Sequence, residues 1–213
     1  MTKLYTVPLP LQSNQSFSER QCGIRPAVKT WQARGIAASR VTFGLMWAVA
    51  AWLKWQPEFL NKFLDQVTGA QDGQPQVIRE WIGIWASIIR TNPLMFARVE
   101  ALIETVLAVF LIFGVLSNLT YVVGMLLSLG IWSTAEGFGG PYIPGQSTDV
   151  GTGFAYALLF VVFFLISAGC YYGLDQWLTP RLGRFGFLAS GTFRRRGGRK
   201  IGYAREREAS QVK

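Results

Sequence analysis

The sequence predicts an all-α fold: a four-helix transmembrane bundle with amphipathic helices on its outer face and basic cytoplasmic tails. Three observations predict this fold. Only 15% of the 213 residues are charged, against about 25% in an ordinary soluble domain. Residues 105–135 and 150–174 contain no Asp, Glu, Lys or Arg, and a membrane span needs only about 20 apolar residues. The remaining charge is concentrated towards the two ends of the chain.

Four segments are predicted to cross the bilayer within a membrane domain of residues 35–174. The spans are placed at about 35–53, 93–116, 121–135 and 152–172. The second begins after Asn92-Pro93, because proline suits the first turn of a helix. Ser117 to Thr120 are predicted to form a tight turn between the second and third spans.

Two apolar-periodic pieces, Phe59–Val67 and Val77–Ile89, lie between the first two spans and are too polar to cross. Both are predicted to be helices on the outer face. The apolar residues of the second piece recur at helical spacing, which suits burial against the bundle or the headgroup boundary. They are Ile78, Trp81, Ile82, Trp85 and Ile89.

The distribution of Lys and Arg predicts the orientation. Five precede Arg40, ten follow Leu174, and the two short loops joining the last three spans carry none. Cytoplasmic segments carry the excess of basic residues, so the tails 1–34 and 175–213 are predicted to be cytoplasmic. Arg40 itself is expected to reach the inner headgroups.

The net charge of +9 invites a nucleic-acid interpretation, but basic residues that flank apolar spans more often fix orientation against anionic lipid. We therefore predict the lipid bilayer, and no nucleic acid, as a partner. The Arg194–Lys200 cluster is assigned to lipid by the same reasoning. The chain has no histidine and two distant cysteines, Cys22 and Cys170. These exclude a His-ligated haem or zinc within the chain, so no metal or haem ligand set is predicted.

Glu100 and Glu104 are the strongest functional signal, because they lie four residues apart on one face of the second span. A carboxylate at that depth is costly and normally faces a bundle interior or a wet cavity. Both a functional site and a structural ion pair fit this pattern. Arg98 is included as a third catalytic candidate, although its angular offset from Glu100 prevents a pair within the helix.

A glycine- and proline-rich segment, residues 136–151, is the second signal, because it specifies turns that an indifferent linker would not need. Lys54, Glu136, Tyr142 and Asp149 are predicted to bind substrate around a polar pocket near this segment. Glu136 follows the third span, where the helix dipole disfavours an anion, so a compensating partner is expected. Asp149 has an alternative role as the amino-terminal cap of the fourth span.

These residues resemble a family. The matching features are Arg40-x3-Gly44, Leu53-Lys54-Trp55, Glu104 followed by Gly114, and above all EGFGGPY-x-PG-x-x-TD-x-G at residues 136–151. The chain resembles a DoxD-like member of the DoxX superfamily over about residues 40–172. The resemblance implies a four-helix membrane subunit of a thiosulfate:quinone oxidoreductase in the prokaryotic cytoplasmic membrane. It also implies quinone as a substrate and a small companion subunit among other membrane partners. The alternative is a non-catalytic subunit of a larger respiratory or photosynthetic complex.

Overall fold

The computed structural model describes residues 28–142 and 150–190, and within them every regular element is helical. The α-helices are α1 (Thr30–Lys54), α2 (Pro57–Gly69), α3 (Gln76–Ile89), α4 (Pro93–Phe113), α5 (Ser117–Ser133), α6 (Thr152–Leu165) and α7 (Asp175–Leu182). Short 3-10 helices lie at Gly137–Gly139, Ala168–Cys170 and Gly183–Leu188. The predicted all-α class is confirmed for this part of the chain.

The helices α1, α4, α5 and α6 form one bundle, in which α1 packs along α4 and α5 packs along α6. Gly44 on α1 lies against Ile112 on α4, and Lys54 lies against Glu100, so α1 and α4 run antiparallel. The bundle core is aromatic and aliphatic. It contains Phe43, Trp47, Leu107, Leu111, Tyr121, Phe160 and Phe163.

The two pieces between the first predicted spans are the helices α2 and α3, as predicted. They pack on each other, and α2 also packs on α4. A second core joins them, with Ile82 and Ile89 buried beside Phe63 and Val67. Trp81 and Trp85 remain partly exposed, so only one side of the predicted apolar stripe of α3 is used within the chain.

The turn between α4 and α5 differs from the prediction. Gly114 (φ 63°) caps α4 in the left-handed conformation, and Ser117 already begins α5. The predicted turn at Ser117 to Thr120 is therefore wrong, because these residues form the first helical turn of α5. The backbone amide of Ser117 donates to the Asp175 carboxylate at 2.9 Å, which satisfies a helix terminus from far along the chain.

The last predicted span is also shorter than expected, since α6 ends at Leu165 and Ser167 takes a positive φ of 50°. The chain then continues as an ordered segment rather than leaving the fold at residue 175. Asp175 is 0% exposed and accepts from the backbone amides of Ser117 and Ser190 at 2.9 Å each. Residues 175–190 are thus part of the folded unit.

Arg40 was predicted to reach the inner headgroups, and this prediction is wrong. Its side chain lies inside the bundle, 1% exposed. Nη1 donates to the Ala168 carbonyl at 3.1 Å and Nη2 to the Tyr172 carbonyl at 3.3 Å. Arg40 therefore ties α1 to the segment that follows α6. A buried cation is tolerated there because carbonyl oxygens replace water around it.

Candidate functional site

The end of α1 places one ammonium between two carboxylates of α4. Lys54 Nζ donates to Glu100 Oε1 and to Glu104 Oε1, the latter at 2.6 Å. We call Lys54, Glu100 and Glu104 the Lys54 cluster. The Lys54 and Glu100 side chains are 18% and 17% exposed, whereas Glu104 is 2% exposed. The cluster therefore runs from a partly open edge into the closed interior of the bundle.

Helical geometry explains why these three side chains meet. Residues four apart on α4 lie one above the other on the same face, and that face is turned towards α1. The start of α4 is fixed by Asn92, whose side chain accepts from the Met95 amide at 3.2 Å. Beside the cluster, Trp55 Nε1 donates to Thr105 Oγ1 at 3.0 Å. This bond fixes the end of α1 at the level of the carboxylates.

The cluster carries more negative than positive charge. With all three groups ionised, two carboxylates and one ammonium leave a net charge of −1. Within the described residues, Glu104 Oε2 is buried and has no hydrogen-bond partner. A buried carboxylate oxygen without a donor is costly, so this atom is the natural acceptor for a proton or for a ligand's hydrogen-bond donor.

A groove of about 690 Å³ opens beside the cluster, between the end of α1 and helix α2. Lys54 forms part of its wall together with Leu53, Phe59 and Gln66. The Lys54 ammonium lies 5.3 Å from the centroid of the Phe59 ring, within cation–π range. The groove thus combines an aromatic ring, apolar walls and one cationic donor that also contacts both carboxylates.

The far wall of the groove is charged. Glu58 and Lys62 face it and pair at 2.8 Å. The hydrogen bond from Lys62 holds the pKa of the Glu58 carboxyl below its usual range. Both side chains are well exposed, so this wall of the groove faces solvent and the ion pair contributes little to stability.

Among the described residues, Arg98, Glu136 and Tyr142 make no ion pair or side-chain hydrogen bond with the Lys54 cluster. Arg98 is exposed and makes no ion pair within the described part of the chain. Tyr142 is 59% exposed, and its hydroxyl donates to the Phe138 carbonyl at 2.6 Å. Asp149 lies outside the described residues. The pocket predicted around the 136–151 segment stays a prediction, because residues 143–149 of that segment lie outside the described residues.

Glu136 has the compensating partners that the sequence predicted, but they belong to α6. Its carboxylate accepts from Thr152 Oγ1 at 2.6 Å and from the Gly153 amide at 3.0 Å. These groups lie in the first turn of α6, where the helix dipole favours an anion. Glu136 therefore acts as a cap for α6, the role that the sequence offered to Asp149.

Two features were not anticipated from the sequence. Gln74 is buried and donates from Nε2 to the Gly137 carbonyl at 2.9 Å, which joins the α2–α3 turn to the glycine-rich segment. Asp175 clamps two backbone amides. The only local signal for Asp175 is that it is the first charged residue after a long uncharged run. Among the described residues, no three His, Cys, Asp or Glu side chains converge as metal ligands.

Comparisons with protein-family models, with curated proteins and with solved structures found no match to this chain. By length and apolarity, one described helix, α1, is able to cross a membrane. Helices α5 and α6 are apolar but shorter, with 17 and 14 residues. Helix α4 has 21 residues but carries Arg98, Glu100 and Glu104 within them.

Proposed function

We propose that the chain is a four-span membrane protein in which the Lys54 cluster delivers protons to a bound quinone. It would serve as the membrane subunit of a thiosulfate:quinone oxidoreductase. The observation that carries the proposal is the Lys54 cluster itself, with one ammonium, two carboxylates and a free, buried Glu104 Oε2. The DoxD-like residue pattern supplies the reaction class.

The outward faces of the bundle support the membrane assignment. All four bundle helices expose several large apolar side chains, which suits a surface that faces lipid. Examples are Leu45, Met46 and Val49 on α1, Leu102, Val106 and Val109 on α4, Val122 and Leu126 on α5, and Leu158 and Val162 on α6. The three charged residues of α4 do not oppose insertion. Glu100 and Glu104 both pair with Lys54 of α1, and Arg98 lies near the start of α4.

Helix lengths are compatible with a bilayer that thins locally. At 1.5 Å per residue, α1 and α4 extend about 37 and 31 Å, whereas α5 and α6 extend about 26 and 21 Å. A hydrocarbon core is about 30 Å thick. Mismatch at the shorter helices costs fractions of a kcal/mol per Å and is relieved by thinning or by flanking residues. The excess of Lys and Arg in both tails favours a cytoplasmic location for both termini, and the DoxD-like residue pattern supplies the prokaryotic membrane.

The charge of the cluster favours a quinone over thiosulfate as its ligand. A thiosulfate dianion would be repelled by the cluster whenever both of its carboxylates are ionised. A neutral quinone ring suits the apolar groove beside Phe59, and one of its carbonyl oxygens would accept a hydrogen bond from Lys54. Reduction of the quinone to quinol takes up two electrons and two protons. The electrons come from two thiosulfate ions, which join through a new S–S bond as tetrathionate on a companion subunit. The protons would reach the quinone from Lys54, which lines the groove and would be reprotonated by Glu100 and Glu104, with which it is hydrogen-bonded.

The Glu104→Gln variant tests this proposal, because it keeps the side-chain shape and removes the exchangeable proton. We expect thiosulfate-dependent quinone reduction by membranes containing the chain and its companion to fall at least tenfold, about 1.4 kcal/mol in barrier height. Glu80→Gln, on the exposed face of α3, is the matched control and should leave the rate unchanged. Normal turnover by a normally folded Glu104→Gln protein would contradict the proposal.

A non-catalytic role in a larger respiratory or photosynthetic complex is the second candidate. It is favoured by exposed aromatic side chains outside the bundle, namely Trp81 and Trp85 on α3, Trp177 on α7, and Phe185 and Phe187 beyond it. Aromatic residues are enriched where subunits meet. In that case Glu104→Gln would lower thermal stability, and any residual activity would follow the amount of folded protein.

A further inference from the structure

A second groove lies at the opposite end of α1 from the Lys54 cluster. It has a volume of about 620 Å³ and runs between the first turns of α1 and the last turns of α6. Trp31, Gly35 and Ser39 form one wall, and Val162 and Phe163 form the other. Its volume is within the range of about 300–1,000 Å³ that is typical of small-molecule sites.

The groove exists because both helices leave space there. Gly35 has no side chain, and a Cβ added to it would meet no atom within 4 Å. Helix α6 ends at Leu165, so α6 itself does not continue along the first turns of α1. The lining is mostly apolar, and Trp31 at the groove's end is 68% exposed. An indole in that position is typical of the membrane interface.

The charge next to the groove indicates what occupies it. Lys29 and Arg34 are exposed on the same first turns of α1, and no acidic residue lies in the first turn. Neither cation lines the groove, but both belong to the turns of α1 that form its wall, so an acyl chain in the groove would bring an anionic headgroup to the level of these cations. We propose that this groove binds one acyl chain of an anionic phospholipid, whose phosphate pairs with Lys29 and Arg34. This proposal rests on the proposed membrane insertion and is independent of the quinone chemistry.

The experiment uses the full chain in vesicles of equal parts phosphatidylglycerol and phosphatidylcholine. Lipid retained after detergent release is identified by native mass spectrometry. We expect the wild type to retain one phosphatidylglycerol, and Gly35→Leu, which fills the groove, to retain at least about tenfold less, a difference of 1.4 kcal/mol in binding. Gly130→Leu is the matched control, because a Cβ at Gly130 on α5 also meets no atom within 4 Å.

Replacing both cations (Lys29→Gln with Arg34→Gln) should remove the preference for phosphatidylglycerol over phosphatidylcholine. Equal lipid retention by the wild type, Gly35→Leu and Gly130→Leu would overturn the proposal, as would a second copy of the chain retained in place of lipid. Carbonate extraction of the same vesicles separates the two proposals. A chain that resists extraction but binds no lipid refutes the groove site alone, whereas a chain that is extracted refutes membrane insertion as well.

Discussion

Replacing Lys54 with methionine removes the one cation that contacts both carboxylates of the cluster. Loss of one partner from a buried ion pair costs about 3–5 kcal/mol, because the other charge stays buried without compensation. Glu104 is almost fully enclosed, whereas Glu100 keeps some contact with the surface. Only Glu104 therefore bears the full penalty, and we expect Lys54→Met to lower the free energy of unfolding by about 3 kcal/mol, the lower end of that range.

The assay is unfolding of the purified chain in mixed micelles with increasing SDS, followed by circular dichroism. Lys62→Met is the matched control, since Lys62 pairs with Glu58 on the surface, and no measurable change is expected. Adding Glu104→Gln to Lys54→Met should restore more stability than adding Glu100→Gln. If Lys54→Met and Lys62→Met lowered the free energy of unfolding equally, the reasoning would be refuted, because the loss of stability would then not depend on burial of the ion pair.

Two further predictions concern packing and capping. Gly124→Ala should lower stability by about 1–3 kcal/mol, because its Cβ would come within 2.6 Å of three ring carbons of the fully buried Phe160. Gly130→Ala should instead stabilise the protein by about 0.5–1 kcal/mol. The same SDS titration measures both effects. Glu136→Ala should cost about 1 kcal/mol by uncapping α6, with faster amide exchange at Gly153, whose amide donates to Glu136, as the specific signature and no change in α4.

Local patterns were sufficient to predict helices α1 to α6, apart from the start of α5 and the end of α6, but they did not predict α7. The helical spacing of apolar residues predicted α2 and α3, and the four-residue spacing of Glu100 and Glu104 placed both carboxylates on one face. Lys54 was expected to bind substrate near the outer interface. The sequence did not predict that it pairs with those carboxylates, because that contact depends on how α1 and α4 align.

The features that sequence reasoning missed depend on contacts between distant parts of the chain. Arg40 was expected to reach lipid because it lies near a span end, yet its acceptors are carbonyls 128 and 132 residues away. The start of α5 was misplaced because its partner, the Asp175 carboxylate, lies 58 residues from Ser117. Helix propensities can indicate where a helix ends, but they cannot predict a cap that a residue of another element supplies.

The Lys54 cluster has one carboxylate more than a simple structural ion pair. One carboxylate would neutralise one ammonium, and a second adds desolvation cost and repulsion between the two acids. Glu100 is within reach of the surface, but Glu104 presents an unpartnered oxygen to the interior. A proton-delivering site needs a second carboxyl group beside the ammonium, whereas a structural ion pair does not. The second carboxylate is therefore the feature of the cluster on which the proposed proton transfer rests.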